Sequence, residues 1–376
     1  GRMFRDEQRG GPFKTWVHTH RMEDLGGGQS ALVDDVEYEL PLGALGDVFG
    51  GGFARGKLDA TFDYRHAVTR LDLERHARFA GQPRLTVAIT GASGLVGTAL
   101  SAFLSTGGHT VRAVKRVGDG FETSALEGAD AIVHLAGAGI ADERWTPARK
   151  QLLHESRGPM TRRLIASLRT LKQPPKTFIS GSATGFYGDR GDEVLTEDSA
   201  PGPVGDDGDR FLSRVVIDWE SAVQDASALG LREVRLRTGM VISARGGALA
   251  KMLPPFRAGV GGPVATGRQW TSWISIEDVL GVVLHALYTP SLHGAVNVVA
   301  PTPVTNADLT RSLGHVLRRP AVAPVPVVAL RVLYGELAET LAGGQRVRPA
   351  TLEASGFSFV HPTFEQALRF TLGRTA

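Results

Sequence analysis

The sequence contains no cysteine, and this absence removes several classes of chemistry at once. Disulfide bonds, thiolate zinc sites, iron–sulfur clusters and cysteine nucleophiles all need a sulfur atom that cysteine would supply. Any chemistry that the protein performs must therefore use no sulfur nucleophile, and nothing points to an oxidising compartment.

The chain also lacks a marked charge excess and long apolar runs. It has 42 Lys and Arg residues against 39 Asp and Glu, a net charge of +3, and no run of five basic residues. We therefore expect no nucleic-acid partner. No stretch approaches the roughly 18 apolar residues of a membrane span, so we expect no membrane segment, no secretory signal and a cytoplasmic location.

The length of 376 residues suggests two to three domains. We expect residues 1–80 to form the first of them, a small α+β module. Residues 13–20 and 29–40 have strand patterns joined by a glycine turn at 26–28, and apolar residues up to position 79 recur at helical spacing. These elements resemble the carboxyl-terminal half of the helix-grip, polyketide-cyclase-like fold. Since the other strands of that fold are missing, the resemblance implies a fragment or a packing appendage. A hairpin and helix that cap the next domain are the alternative.

From residue 84 onward, strand and helix patterns alternate. Short apolar runs typical of buried strands occur at 85–90, 110–114, 131–136 and 177–180, with helical patterns between them. This alternation predicts an α/β fold, a doubly wound parallel sheet of Rossmann type, over 84–300. Residues 301–376 are predicted to form a small C-terminal substrate-side domain.

The first of these strands runs into a glycine-rich turn, GASGLVG, at residues 91–97, before a helical pattern. Three glycines three residues apart allow a tight turn and bring main-chain N–H groups close to a pyrophosphate at the helix N-terminus. The sequence therefore predicts a dinucleotide site. Its predicted contacts in the turn are Gly91, Ser93, Gly94, Leu95 and Gly97.

The end of the second strand carries two cations, Lys115 and Arg116, where NAD enzymes usually have an acid. The nearest acid is Asp119. Two cations suit a 2′-phosphate, so the sequence favours NADP(H) over NAD(H).

Four segments together resemble a known family: GASGLVG, HLAGAGIADERWT, ISGSATGFYGD and KMLPPFRAGVGGPVATGRQWTSWISIEDV. They are similar to the atypical extended short-chain dehydrogenase/reductases described as nucleotide-sugar epimerase-like or cell-division-inhibitor-like. That family also carries a C-terminal domain of unknown function, which residues 325–372 resemble, and some members have a helix-grip-like module first. Relatives often dimerise, so the resemblance implies a homodimer.

The resemblance implies a catalytic serine at Ser182, followed by a Tyr and Lys pair that transfers the proton. Counting back from Glu220 puts Leu212 at the Tyr position and Val216 at the Lys position. Neither can transfer a proton, so the usual pair is absent. Tyr187 is the phenol that remains nearby, and it is our candidate for the acid.

The same resemblance implies further binding residues. The remaining predicted cofactor contacts are Leu135, Ala136, Gly137, Arg157 and Met240. The predicted substrate contacts are Trp145, Arg268 and Trp273. An arginine among aromatic residues suits a small molecule, including an anionic one.

Histidine gives no metal site in the sequence. His134 lies in an apolar strand and is interpreted as a core residue, and His18 and His20 have no third ligand at a convincing spacing. The resulting hypothesis is an NADP(H)-dependent oxidoreductase or epimerase-like enzyme without a metal. The alternative is a protein that keeps NADP(H) as a sensory or structural ligand.

Overall fold

A computed structural model describes residues 2–374, and the chain divides into two compact units, Gly1–His66 and Ala67–Ala376. The first unit holds a three-stranded antiparallel sheet in the order β1-β2-β3. Its elements are β1 (Met3–Glu7), β2 (Thr15–Gly26), β3 (Gln29–Glu39) and the first part of α1 (Ala44–Ala77). The two predicted strands and the long helix are therefore confirmed, whereas β1 was not predicted because its charged, exposed residues show no strand pattern.

The second unit contains the strands and helices that follow. Its strands are β4 (Thr86–Thr90), β5 (Thr110–Val114), β6 (Arg116–Val117), β7 (Gly120–Phe121), β8 (Ala131–His134), β9 (Thr177–Ala183), β10 (Val194–Leu195), β11 (Arg232–Thr238), β12 (Met240–Ile242), β13 (Trp270–Thr271), β14 (Trp273–Ser275), β15 (Gly294–Val298), β16 (Val304–Thr305) and β17 (Arg346–Val347). Its helices after α1 are α2 (Leu95–Thr106), α3 (Pro147–Glu155), α4 (Gly158–Leu168), α5 (Gly208–Gln224), α6 (Gly247–Arg257), α7 (Ile276–Tyr288), α8 (Asn306–Leu317), α9 (Val327–Tyr334), α10 (Leu337–Ala342), α11 (Ala350–Ala354) and α12 (Phe364–Thr371).

Six of these strands form one parallel sheet in the order β15-β11-β9-β8-β4-β5. This sheet confirms the predicted doubly wound α/β fold. The chain moves to one side of β4 to form β5 and to the other side to form β8. The carboxyl ends of β4 and β8 therefore flank a crevice, which is where open parallel sheets bind ligands.

Both faces of the sheet are buried, which explains why its strands read as continuous apolar runs. Val87 and Ile89 of β4 pack in one core cluster with residues of α2 and α7. Ala88 of the same strand packs in a second cluster with residues of α4 and α5. Successive side chains of a strand point to opposite faces, so one five-residue strand serves both cores.

Shorter ladders join distant parts of the second unit. β10 pairs in parallel with β17, so that Val194 lies opposite Arg346. β12 pairs with β14, and β13 pairs with β16. These ladders hold the C-terminal segment against the carboxyl edge of the main sheet. Across residues 2–374, no helix combines the length and apolarity that crossing a membrane requires.

Candidate functional site

The glycine turn after β4 uses its first and third glycines for close packing. Gly91 has a φ of +69°, and a Cβ there would lie 2.8 Å from the backbone nitrogen of Ala136. A Cβ on Gly97 would lie 2.1 Å from the carbonyl oxygen of Gly91. A side chain at either position would therefore force the backbone apart.

Gly94 has a different environment from these two glycines. It is exposed and forms the N-cap of α2, and no side chain caps this end of the helix. A Cβ there would meet the carbonyl oxygen of Gly91 at 3.2 Å and nothing closer. The first N–H groups of α2 have no intrahelical acceptor and carry the positive end of the helix dipole. With Ser93 and Leu95 beside it, this open helix end fits an anionic pyrophosphate.

The residues predicted on β8 lie beside the same turn. Leu135, Ala136 and Gly137 follow β8 directly, and the backbone nitrogen of Ala136 donates to Thr90 Oγ1 at 3.3 Å. The structure thus brings the predicted contacts of β4 and β8 together at the crevice.

Lys115 and Arg116 lie at the carboxyl end of β5, next to β4 in the sheet. Both are exposed, and Arg116 Nε donates to the carbonyl oxygen of Gly118 at 3.2 Å. The adjacent turn therefore has two solvated cations and no carboxylate in the first positions after the strand.

Arg157 supplies a third, buried positive charge near the crevice. Its guanidinium donates to the carbonyl oxygens of Leu153 at 3.0 Å and Ala138 at 2.9 Å. A Cβ on Gly137 would lie 3.5 Å from its Cζ, so the guanidinium lies directly under the loop after β8. Burial, with the charge of Arg149 nearby, lowers the pKa of Arg157 to about 10. The group therefore stays charged at neutral pH.

Ser182 and Tyr187 belong to one buried network. Ser182 Oγ donates to Glu220 Oε1 at 2.6 Å, and Arg237 donates to both oxygens of Glu220 at 2.8 and 2.9 Å. The Tyr187 hydroxyl donates to Asn297 Oδ1 at 2.7 Å and accepts from Arg237 Nη1 at 2.9 Å.

This network corrects the interpretation of Tyr187 as the acid. Its side chain has no exposed surface, and burial raises the pKa of the phenol despite the Arg237 charge. The hydroxyl donates one hydrogen bond and accepts another within the core, and Tyr187 does not line the cavity described below. Its role in the structure is to join the short 3₁₀ helix at Thr184–Tyr187 to β11 and β15.

Leu212 and Val216 lie on α5 against the turn that follows β9. A Cβ on Gly185 would lie 3.7 Å from Leu212 Cβ and 3.8 Å from Val216 Cγ2. Both side chains are buried and apolar. These two positions therefore offer no group that could transfer a proton.

A cavity of about 560 Å³ opens at the carboxyl edge of the sheet. Thr184, just after β9, and Met240, just after β11, line it, and so does Ala141 from the loop after β8. Since these strands are parallel, the cavity lies at the same edge as the glycine turn. Further walls come from α6, α8, α9 and α10.

None of the three predicted substrate contacts lies on this cavity wall. The indole nitrogen of Trp145 donates to the carbonyl oxygen of Ile140 at 2.8 Å, and Trp273 is fully buried with its indole donating to Thr302. Arg268 is exposed on the loop before β13. Trp145 and Trp273 thus pack in core clusters, and only Arg268 of the three is exposed.

Thr184 and Gln345 are two of the cavity residues that the sequence did not predict. Thr184 lies two residues after Ser182 in the same motif, and the direction of its side chain depends on where β9 ends. Gln345 comes from the C-terminal segment, and its Oε1 lies 3.5 Å from Thr184 Oγ1. The motif could have drawn attention to Thr184, but no local signal marks Gln345.

The first unit brings a carboxylate, a third potential ligand, beside its paired histidines. Asp6 Oδ2 lies 3.0 Å from His20 Nε2 and 3.7 Å from His18 Nδ1. Asp34 Oδ1 lies 3.0 Å from His18 Nε2, and Arg65 Nη2 lies 3.1 Å from His20 Nδ1. The ring nitrogens thus already face protein partners, and the absence of a metal stays a prediction.

The parallel sheet, with its glycine turn at the crevice between β4 and β8, defines a Rossmann-type α/β protein. Residues 87–299 match the NAD dependent epimerase/dehydratase family, and residues 325–371 match a domain of unknown function, DUF1731. The chain belongs to the NAD dependent epimerase/dehydratase family.

Relatives and solved structures agree with this assignment. Epimerase family protein Mb2239 of Mycobacterium bovis is 40% identical over an alignment of 302 residues, and the alignment covers 77% of this chain and 98% of that protein. The crystal structure of human epimerase family protein SDR39U1 (isoform 2) with NADPH has a TM-score of 0.70 and 33% identity, covering 77% of this chain and 99% of its own. The nucleoside-diphosphate sugar epimerase from Corynebacterium glutamicum has a TM-score of 0.77 and 34% identity, covering 99% of this chain and 74% of its own.

Proposed function

We propose that this protein binds NADP(H) and acts as an oxidoreductase or epimerase-like enzyme on a small molecule held in the cavity. The observation that carries the proposal is the exposed pair Lys115 and Arg116 at the end of β5, beside the open N-terminus of α2. A related human protein, 33% identical, was crystallised with NADPH.

Different residues of this chain would bind different parts of the dinucleotide. The N-terminus of α2 would hold the pyrophosphate, and Lys115 and Arg116 would hold the 2′-phosphate. Arg157 adds positive charge under the loop of Gly137. When bound, the cofactor supplies or accepts a hydride.

Few side chains could hydrogen-bond the substrate oxygen and transfer a proton to it. Thr184 is the hydroxyl of the motif around Ser182 that reaches the cavity wall, so we assign it the hydrogen bond to a substrate oxygen. Ser182, which donates to Glu220, positions the end of β9. Without a phenol and lysine pair, we expect slow turnover, because positioned acid–base groups contribute about 10²- to 10⁴-fold in rate.

The test compares NADPH and NADH affinities by fluorescence titration. Removing a charge-assisted phosphate contact costs about 1.5 to 3 kcal/mol. Replacing both Lys115 and Arg116 by Ala should therefore weaken NADPH binding at least tenfold and bring it close to NADH binding. The matched control replaces the exposed pair Arg163 and Arg169 near α4 by Ala, and it should keep the preference. Equal affinities for the two cofactors in the unmodified protein would refute the NADP(H) assignment.

One observation favours a second function. Leu212 and Val216 occupy the positions of the usual proton-transfer pair, and neither side chain can transfer a proton. If no other group replaces them, the chain would bind NADP(H) without catalysis and serve as a sensor or regulatory protein. A screen for hydride transfer over a panel of carbonyl compounds separates the two functions. Tight NADPH binding without any turnover would favour the sensor.

A further inference from the structure

The cavity at the carboxyl edge of the sheet has mainly apolar walls. Met252 and Phe256 come from α6, Leu309 from α8, and Leu333 and Leu337 from α9 and α10. Its volume of about 560 Å³ falls within the range of about 300 to 1,000 Å³ that holds small organic ligands. Size therefore admits many substrates, and the chemistry of the wall must decide among them.

Several polar groups on this wall are already engaged by the protein. Lys251 is the single charged residue on the wall within the described part of the chain, and its Nζ donates to the carbonyl oxygen of Ala141. Asn306 Oδ1 accepts from the backbone nitrogen of Val264 at 2.8 Å. The Ser272 hydroxyl donates to a backbone carbonyl 2.7 Å away. A charged or highly polar ligand would therefore have to compete with these contacts.

This wall does not suit a nucleotide sugar. A diphosphate brings two negative charges, and burying them requires several paired cations such as a bidentate arginine. The wall offers one lysine, which is already bonded, and no arginine. The name of the relative from Corynebacterium glutamicum therefore does not transfer its substrate to this cavity.

Building on the proposed function, we propose that the substrate is a neutral, mainly apolar molecule with one carbonyl or alcohol oxygen placed near Thr184. In the reductive direction, a C–H bond of the NADPH nicotinamide would break as its hydride forms a new C–H bond at the carbonyl carbon, and the π electrons of the C=O bond would move to the oxygen. That oxygen takes a proton from water through Thr184. The carbonyl is reduced as NADPH is oxidised to NADP⁺.

The first experiment is isothermal titration of NADP⁺-saturated protein, which cannot reduce a ketone, with 2-hexanone, 2-octanone, 2-decanone and UDP-glucose. Each methylene buried in an apolar pocket tightens binding about fourfold. We therefore expect 2-octanone to bind about 15-fold tighter than 2-hexanone, and UDP-glucose to show no measurable binding. A flat alkanone series, no alkanone binding, or tighter binding of UDP-glucose would each overturn the proposal.

The second experiment tests the wall itself. Met252→Glu places a charge on the apolar wall and should weaken 2-octanone binding at least tenfold, whereas Met252→Leu should keep it. Val204→Glu, a similar change at an exposed site outside the cavity, is the matched control and should bind like the unmodified protein. Unchanged binding in Met252→Glu would contradict the proposal.

A separate NADPH titration on every variant keeps the two proposals apart. If the unmodified protein does not bind NADPH, the proposed function is refuted. Normal NADPH binding with the wrong ligand preference would refute the substrate class alone.

Discussion

Gly94 and Gly97 lie three residues apart in the same turn, yet the space around them differs. A Cβ on Gly97 would lie 2.1 Å from a backbone oxygen, whereas Gly94 is exposed and opens toward the crevice. A glycine that is needed for packing and a glycine that leaves room for a ligand can therefore be separated by mutation.

We predict that Gly94→Val abolishes NADPH binding while the protein stays folded. The valine would fill the space that the pyrophosphate needs at the N-terminus of α2. Fluorescence titration measures the affinity, and circular dichroism with thermal unfolding measures the fold. Gly97→Val, the comparison variant, should lower the unfolding temperature because its side chain collides with Gly91. Unchanged NADPH affinity in Gly94→Val would mean that the turn is purely structural.

At the scale of elements, His134 joins two strands to a helix. Its Nδ1 lies 2.6 Å from Thr90 Oγ1 on β4, and its Nε2 lies 3.0 Å from Thr161 Oγ1 on α4. The ring is fully buried, and burial lowers its pKa to about 4. The interpretation of His134 as a satisfied core imidazole therefore agrees with its contacts.

We predict that His134 makes the protein less stable in acid. In the unfolded chain the pKa of His134 is about 6.5, so the unfolded state binds a proton below that pH. The folded state binds this proton only near pH 4, and the difference favours unfolding between these two values. The contribution of His134 to the free energy of unfolding is fully present above about pH 6.5, and it falls as the pH drops toward 4. Between pH 7 and pH 5 the loss from this group is about 2 kcal/mol.

Urea unfolding at pH 7 and pH 5 measures this loss. In His134→Asn the decrease in the free energy of unfolding should be smaller by about 2 kcal/mol. Other buried histidines, such as His109, contribute equally to both proteins and cancel in the comparison. The exposed His293→Asn should behave like the unmodified protein. The same acid dependence in His134→Asn would disprove the assignment.

The main sheet could be predicted from sequence because each strand carries its own signal. A continuous apolar run such as 131–134 identifies a strand buried on both faces, whatever lies elsewhere in the chain. β1 gives no such signal, since its exposed residues become a strand by pairing with β2. The ladder between β10 and β17 joins residues about 150 positions apart, and nothing local to either dipeptide indicates it.

The cofactor turn and the cavity differ in the same way. The turn is contained in seven consecutive residues, so spacing alone predicts it. The cavity wall assembles side chains from Ala141 to Gln345, and the direction of each depends on the folded backbone. Tyr187 shows the consequence, because a residue inside a recognised motif turns out to face the core.

At the scale of the whole molecule, the C-terminal domain of unknown function completes the cavity. Residues 325–371 match that domain, and Leu330, Tyr334 and Leu337 within it line the wall. The Rossmann part supplies the glycine turn, and the C-terminal part supplies much of the cavity wall. A ligand of this protein should therefore stabilise the second unit as a whole.

Ligand binding should stabilise one of the two units more than the other. At 100 times its dissociation constant, a ligand that binds the folded state stabilises it by about 2.7 kcal/mol, which slows exchange through unfolding about 100-fold. The glycine turn and the cavity both lie in the second unit. We predict that NADPH slows hydrogen exchange in β4 and β8 by up to this factor and leaves β2 and β3 unchanged.

Hydrogen-exchange mass spectrometry resolves peptides from these strands separately. The Gly94→Val variant serves as the control, because NADPH should slow exchange nowhere in it. Equal slowing in β2 and β3 would show that the two units unfold as one cooperative body, since stabilisation then reaches every amide that exchanges by global unfolding. Slowing confined to β4, β8 and the segments around the cavity would show that the second unit unfolds independently and contains the site.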